Sequence, residues 1–291
     1  MEPTIIYPAS VVYTMDPSQP TASAVAVRGN RFLAVGSLEE LCSIENHEVD
    51  NSFVDKILLP GFVEAHSHGM AAGLWLHTYC GFFDRSDPNG VLWSGCKNID
   101  EVIVRLREAE SSLTDPDAPL LAWGLDPIYF AGERLIGSHL HQVSKTRPIF
   151  VLHASAHLAT VNSALMQAEG ITSEIPMEGI PKDAEGNPIG ELQEPAAMSL
   201  AGSAFRSFFG RMKSQEAKWD LGHLANRAGV TTLTDLGNPS STSQTTIGEW
   251  REVVDHDDFP ARLFIFDTPA TSQATANTIL SIQEQSSAKL R

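Results

Sequence analysis

The chain has 291 residues, 42% of them hydrophobic, with 20 Lys and Arg against 36 Asp and Glu. That length and apolar content suffice for a sizeable core. The formal net charge of −16 argues against nucleic acid or an anionic membrane surface as a partner, because both need Lys/Arg patches.

No apolar run approaches the roughly 18 residues of a membrane span. The opening MEPTIIYP lacks a basic stretch followed by an apolar one, so it does not read as a secretory signal. Cys42, Cys80 and Cys96 are far apart and include no C-x-x-C. They fit reduced thiols in the cytoplasm better than a disulfide framework.

Residues 1–56 read as a small β module. Short β-rich runs lie at 5–7 and 11–14, and runs at 24–28 and 31–35 are joined by Gly29-Asn30, a two-residue hairpin signal. Ser37-Leu38-Glu39-Glu40 is a capping box that should open a short helix. Next comes LLPGFVEAHSHG at 58–69, an apolar run expected to be a buried strand, 57–69, that ends in His66 and His68. Residues i and i+2 of a strand share a face, so these imidazoles can hold one metal ion through neutral ring nitrogens. Glu64 lies on the same face and could orient a ligand histidine or serve as a structural carboxylate. A second pair, His139 and His141, sits among Leu135, Ile136, Leu140 and Val143, spaced as in a short helix, where i and i+2 diverge. That pair reads as structural or solvated.

The spacing of Val102, Leu106, Ala109 and Leu113 predicts a helix over about 100–113. Residues 120–124 and 149–153 are short apolar strands, and the Pro/Gly/Glu-rich 172–195 reads as loop. A helix capped by Ser214, with Ala217, Leu221, Leu224 and Ala228 as its stripe, should end at Gly229. Strands at 230–236 and 261–266 follow, and the last 20 residues are polar and helix-like. Asp235 ends the first of these strands, where it could position a site or cap the next helix. The helix-then-strand rhythm points to an α/β barrel.

The ordered series PGFVEAHSH, LLAWGLDP (120–127), IFVLHASAHLATVNSALMQAEGI (149–171), NPIGELQE (187–194) and AGVTTLTDLG (228–237) resembles the amidohydrolase superfamily. Within it, the series is most similar to the family 3 branch, which includes N-substituted formamide deformylase-like proteins. The resemblance implies an α/β fold: a partial TIM-type (β/α) barrel of the metal-dependent hydrolase kind. Residues 1–56 would contribute to a composite β-sandwich, and a long insertion at about 70–213 would follow the first barrel strand.

The same resemblance implies hydrolysis of non-peptide C–N bonds in a small amide or N-acyl substrate by metal-bound hydroxide. His66 and His68 would be ligands of a divalent metal, zinc by first choice, although imidazoles suit iron, nickel and copper as well. His157 matches the histidine of a GH(x)AxxNS pattern in which this chain has Ala156 in place of glycine. Glu194 matches the glutamate of GxLxE. His157 would face the substrate pocket, and Glu194 would bind substrate or a ligand shell unless it is simply solvated in its loop, with Asn162 and Ser163 capping a helix. The family's further ligands, a lysine and two histidines, and its proton-handling aspartate sit on later strands that this sequence does not include. The chain therefore resembles an N-terminal half. A second reading follows from that: a non-catalytic fragment or binding module.

Overall fold

The structure, a computed structural model, describes residues 2–291 except 131–133, 237–243, 267–276, 278–279, 282 and 285. It divides into two units, Met1–Phe62 and Val63–Arg291. Of the last 20 residues, the polar tail expected to be helix-like, nine lie outside the described residues.

The first unit is one sheet of β1 (Thr4–Tyr13), β2 (Thr21–Arg28), β3 (Arg31–Gly36), β4 (His47–Val49) and β5 (Ile57–Leu58). Its order is β3-β2-β1-β4, with β5 also against β1. The runs at 5–7 and 11–14 are a single strand, its pairing with β2 interrupted by a register shift between Pro8 and Val12. Ile6, Ala24, Ala26 and Leu41 form its main core. The capping box forms as the sequence predicts: Ser37 Oγ accepts from the Glu40 N–H, the Glu40 carboxylate accepts from the Ser37 N–H, and α1 (Leu38–Leu41) follows.

The expected strand over 57–69 is in fact two. Ile57–Leu58 pairs parallel to β1. Pro60-Gly61 then interrupts the ladder, because proline has no N–H to contribute. β6 (Phe62–Ser67) resumes in a different sheet. Nor is the run buried: Ile57 is 60% exposed and Val63 64%. Among the described residues β6 is the end strand of its three-stranded sheet.

In the second unit a sheet of β7 (Thr78–Tyr79), β10 (Leu120–Leu125), β11 (Ile149–His153), β12 (Leu158–Val161) and β13 (Glu191–Gln193) has the order β13-β12-β11-β10-β7; a short hairpin, β8 (Arg85–Ser86) and β9 (Leu92–Trp93), stands apart. Every residue of β10 and β11 is buried. Their alternating side chains explain this. Leu120, Ala122, Ile149 and Val151 pack with Ile99, Val102, Ile103 and Leu106 of α2 (Ile99–Ser112). Leu121, Trp123, Phe150 and Leu152 pack with Phe208. A strand covered on both faces reads as a continuous apolar run, as LLAWGL and IFVLH do. The short helices α3 (Gly137–Leu140), α4 (Ser163–Ala168) and α5 (Glu194–Met198) punctuate the loops, and α6 (Gly202–Arg211) carries Phe208. The segment 172–195, expected to be loop, holds β13 and the first two residues of α5.

The remaining elements are α7 (Gln215–Arg227), β14 (Val230–Leu236), α8 (Gln244–Val254) and β15 (Arg262–Phe266). Ser214 caps α7 by accepting from the Ala217 N–H, and Gly229, at φ 70°, follows its end in the left-handed conformation. β14 and β15 pair parallel, with α8 between them in sequence, and the sheet order is β15-β14-β6. The three strands expected of the barrel thus share one sheet. They form no closed barrel among the described residues. Leu221, Leu233, Trp250, Val253, Val254 and Leu263 make its core.

Candidate metal centre

β6 delivers His66, and His68 follows its last residue at the head of a 3-10 helix, Gly69–Leu76. Between the two histidines, Ser67 turns the other way and donates through Oγ to the Thr234 carbonyl of β14. Thr234 Oγ1 donates in return to the Glu64 carbonyl at 2.9 Å. Residues 66 and 68 are two apart on extended backbone, so their side chains share a face. Their ring centroids lie 5.8 Å apart at an interplanar angle of 88°. Two imidazoles gripping one ion through bonds of about 2.1 Å have ring centres roughly 5–6 Å apart. The observed separation falls within that range. Among the described residues no cluster of three or more His, Cys, Asp or Glu is placed to hold a metal.

The two carboxylates expected to support this pair behave differently. Glu64 is exposed and accepts at 3.0 Å from the backbone N–H of His66, so it braces the strand end and not the ring. Asp235, one residue after Thr234 on β14, is 1% exposed. Neither of its oxygens makes a well-formed hydrogen bond among the described residues, and the Gly69 N–H is the backbone donor nearest to one. Burial raises its pKa above the usual carboxylate range, opposed by the Gly69 N–H and the His68 ring. Gly69 is a residue that sequence reasoning passed over. A Cβ there would stand 2.7 Å from the Trp250 ring and 3.1 Å from Asp235 Oδ2, so this close approach requires glycine. The signal available was its position directly after the HSH triplet.

His157 and Glu194 are brought together. His157 Nδ1 lies 2.9 Å from Glu194 Oε2, and the Glu194 N–H donates to the His157 carbonyl at 2.7 Å. The antiparallel pairing of β12 with β13, Leu158 opposite Gln193, makes this contact. Both side chains are about two-thirds exposed. Glu194 has φ 66° and Ala156 φ 58°, the left-handed region that favours glycine. The glycine of the resembled motif is what this backbone calls for. Ala156→Gly is expected to raise the unfolding free energy by about 0.5–1 kcal/mol, read as a higher urea midpoint at unchanged slope.

The other histidines take structural places. His141 Nε2 meets Ser163 Oγ at 2.6 Å beside α3. His153, at the end of β11, is 3% exposed and bonds Thr160 Oγ1 at 2.9 Å. Asn162 caps α4, its side chain accepting from the Leu165 N–H at 3.1 Å, as the sequence predicts.

The geometry meets a decisive comparison here: the amidohydrolase family 3 model matches residues 55–288. The chain belongs to the amidohydrolase family. Among curated relatives, it is 26% identical over 260 residues to Protein LONG AFTER FAR-RED 3 of Arabidopsis thaliana, covering 87% of this chain and 42% of that protein. It is also 26% identical to N-substituted formamide deformylase of Arthrobacter pascens, covering 72% of this chain and 36% of that one. In fold it is similar to a metal-dependent hydrolase from Pyrococcus horikoshii, with a TM-score of 0.59 and 16% identity over 96% of this chain and 50% of that one. This amidohydrolase chain therefore spans about half, or less, of the length of these proteins. Among its described residues no helix is long and apolar enough to cross a membrane, and its three cysteines are free.

Proposed function

We propose that this chain is part of a metal-dependent hydrolase acting on non-peptide C–N bonds of small amides or N-acyl compounds. The observation that carries the reading is the adjacency of the His66 and His68 rings at the end of β6. These two residues would hold a divalent ion, zinc by first choice. When bound, that ion would supply Lewis acidity toward an amide carbonyl and toward water.

The chain's own residues do the rest of the work assigned here. The Ser67–Thr234–Glu64 hydrogen bonds fix the strand end, so that both imidazoles meet the ion without a rearrangement. His157, donating an Nδ1–H hydrogen bond to Glu194, keeps an Nε2 lone pair for a donor group of the substrate, and Glu194 holds the ring in that tautomer. Catalytic zinc sites use three protein ligands, so further donors are needed beyond these two. The relatives' greater length leaves room for them.

A second reading, a metal-binding module without catalysis, is favoured by the absence of a three-donor cluster among the described residues. One experiment separates the two. Zinc binding is measured by equilibrium dialysis for the wild type, His66→Ala and His68→Ala, with N-substituted formamides and N-acyl amines as test substrates. Each substitution is expected to weaken zinc binding by at least about 100-fold. Zinc-dependent hydrolysis lost in His66→Ala supports the hydrolase. Zinc binding without hydrolysis supports the module, and zinc binding unchanged in both variants removes both readings.

A further inference from the structure

Asp235 is the group in this molecule whose placement is least accounted for. A buried carboxylate with no hydrogen bond is costly, because it has lost its water and gained nothing in exchange. Here both oxygens are sealed from solvent and unpartnered among the described residues, and Asp235 takes part in no ion pair there. Asp235 Oδ2 stands 3.1 Å from where a Cβ at Gly69 would lie, which sets the carboxylate beside the residue that follows His68 on the segment carrying the candidate ligands. Trp250, itself 5% exposed, walls this corner, and glycine at 69 lets the carboxylate lie against the backbone that follows His68.

We infer that Asp235 is a positioning residue: its buried carboxylate takes a hydrogen bond from the His68 ring once that ring holds an ion, fixing tautomer and orientation. Metal-ligating histidines commonly donate their second N–H to a carboxylate in this way. The orphaned oxygens are then the cost of a partner that is completed only on loading. The inference rests on the metal-centre reading above and adds to it a dry, preplaced acceptor on the neighbouring strand. Asp235 is not itself assigned as a ligand, since it forms no three-donor cluster with His66 and His68.

The test compares wild type, Asp235→Leu, Asp235→Asn and His66→Ala in two arms. With chelator present, Asp235→Leu removes the orphaned charge in a similar shape and is expected to raise Tm by about 2–4 °C. With zinc, the same variant is expected to bind about 10–100-fold more weakly, and Asp235→Asn, which keeps an acceptor oxygen, to recover part of that loss. The visible spectrum with Co²⁺ should change in step. A merely structural aspartate gives the opposite signature: a lower metal-free Tm and zinc binding within twofold of wild type, which overturns the inference while leaving the metal centre standing. Wild type binding zinc no better than His66→Ala overturns the metal centre and this inference together.

Discussion

Phe208→Ala is expected to lower the unfolding free energy by about 3–5 kcal/mol, the range for truncating a fully buried aromatic ring. Phe208 is 0% exposed and sits where α6 meets the β10–β11 sheet. Its ring stacks on His77 at 4.0 Å and 20°, and contacts Phe150 at 5.5 Å and Phe209 at 5.3 Å. Its carbonyl accepts from His77 Nε2 at 3.1 Å. Truncation empties the centre of this cluster and takes the stacking face from a buried imidazole in the same step. Phe208→Leu refills much of the volume and should cost less than half as much. Urea unfolding checks both. A cost under about 1 kcal/mol for the alanine variant would show that α6 does not anchor this sheet.

Stability should also fall steeply in mild acid, through two histidines held neutral. His77 is pushed down to about 4 chiefly by burial, with the Arg211 charge adding to the shift and the Phe208 carbonyl opposing it. His153 is likewise pushed down to about 4, again chiefly by burial, with Glu191 opposing. The hydrogen bonds say why. His77 Nε2–H is spent on the Phe208 carbonyl, and a proton on Nδ1 would find no acceptor among the described residues. Thr160 spends its hydroxyl proton on the Leu135 carbonyl, so it accepts from His153 Nε2–H, and His153 Nδ1 is left in the same position.

Each folded value lies below the unfolded one of about 6.5. The stability these groups contribute is therefore complete above pH 6.5 and is lost as pH falls toward 4, because only the unfolded chain takes up the protons. Between pH 7.5 and 5 the loss is about 2 kcal/mol per histidine. Burial raises Asp220 and Asp235, which act in the opposite sense as they protonate. The measurement that isolates the histidines is thus a difference: wild type against His77→Gln/His153→Gln, unfolded in urea at both pH values. Parallel pH dependences in the two proteins would remove these histidines as the cause.

What could be read in advance followed local rules. The apolar stripe of α2, the Ser214 cap and Gly229 stop of α7, and the β14 run are written in contiguous residues, and each forms as its spacing requires. The runs of β10 and β11 were legible as strands, and their continuous hydrophobicity already implied cover on both faces. The candidate site was legible only as far as one strand reaches. His66 and His68 share a face because of a two-residue period that any strand obeys.

The rest depends on partners distant in sequence. His157 meets Glu194 through the β12–β13 register, across 37 residues. The strand expected across 57–69 divides at Pro60-Gly61 between two sheets, and its apolar residues Ile57 and Val63 stay exposed. Asp235 could have been a solvated cap by sequence; the packing of Trp250 and Gly69 around it makes it a buried, unpartnered carboxylate. Sequence by itself determined the family, the principal helices and strands, and the pairing of two imidazoles, since periodicity, capping and motif order act within short stretches of chain. Tertiary structure alone decided which polar groups lose their water and which strands lie at an edge, because burial belongs to the neighbours that folding supplies and not to the residue itself.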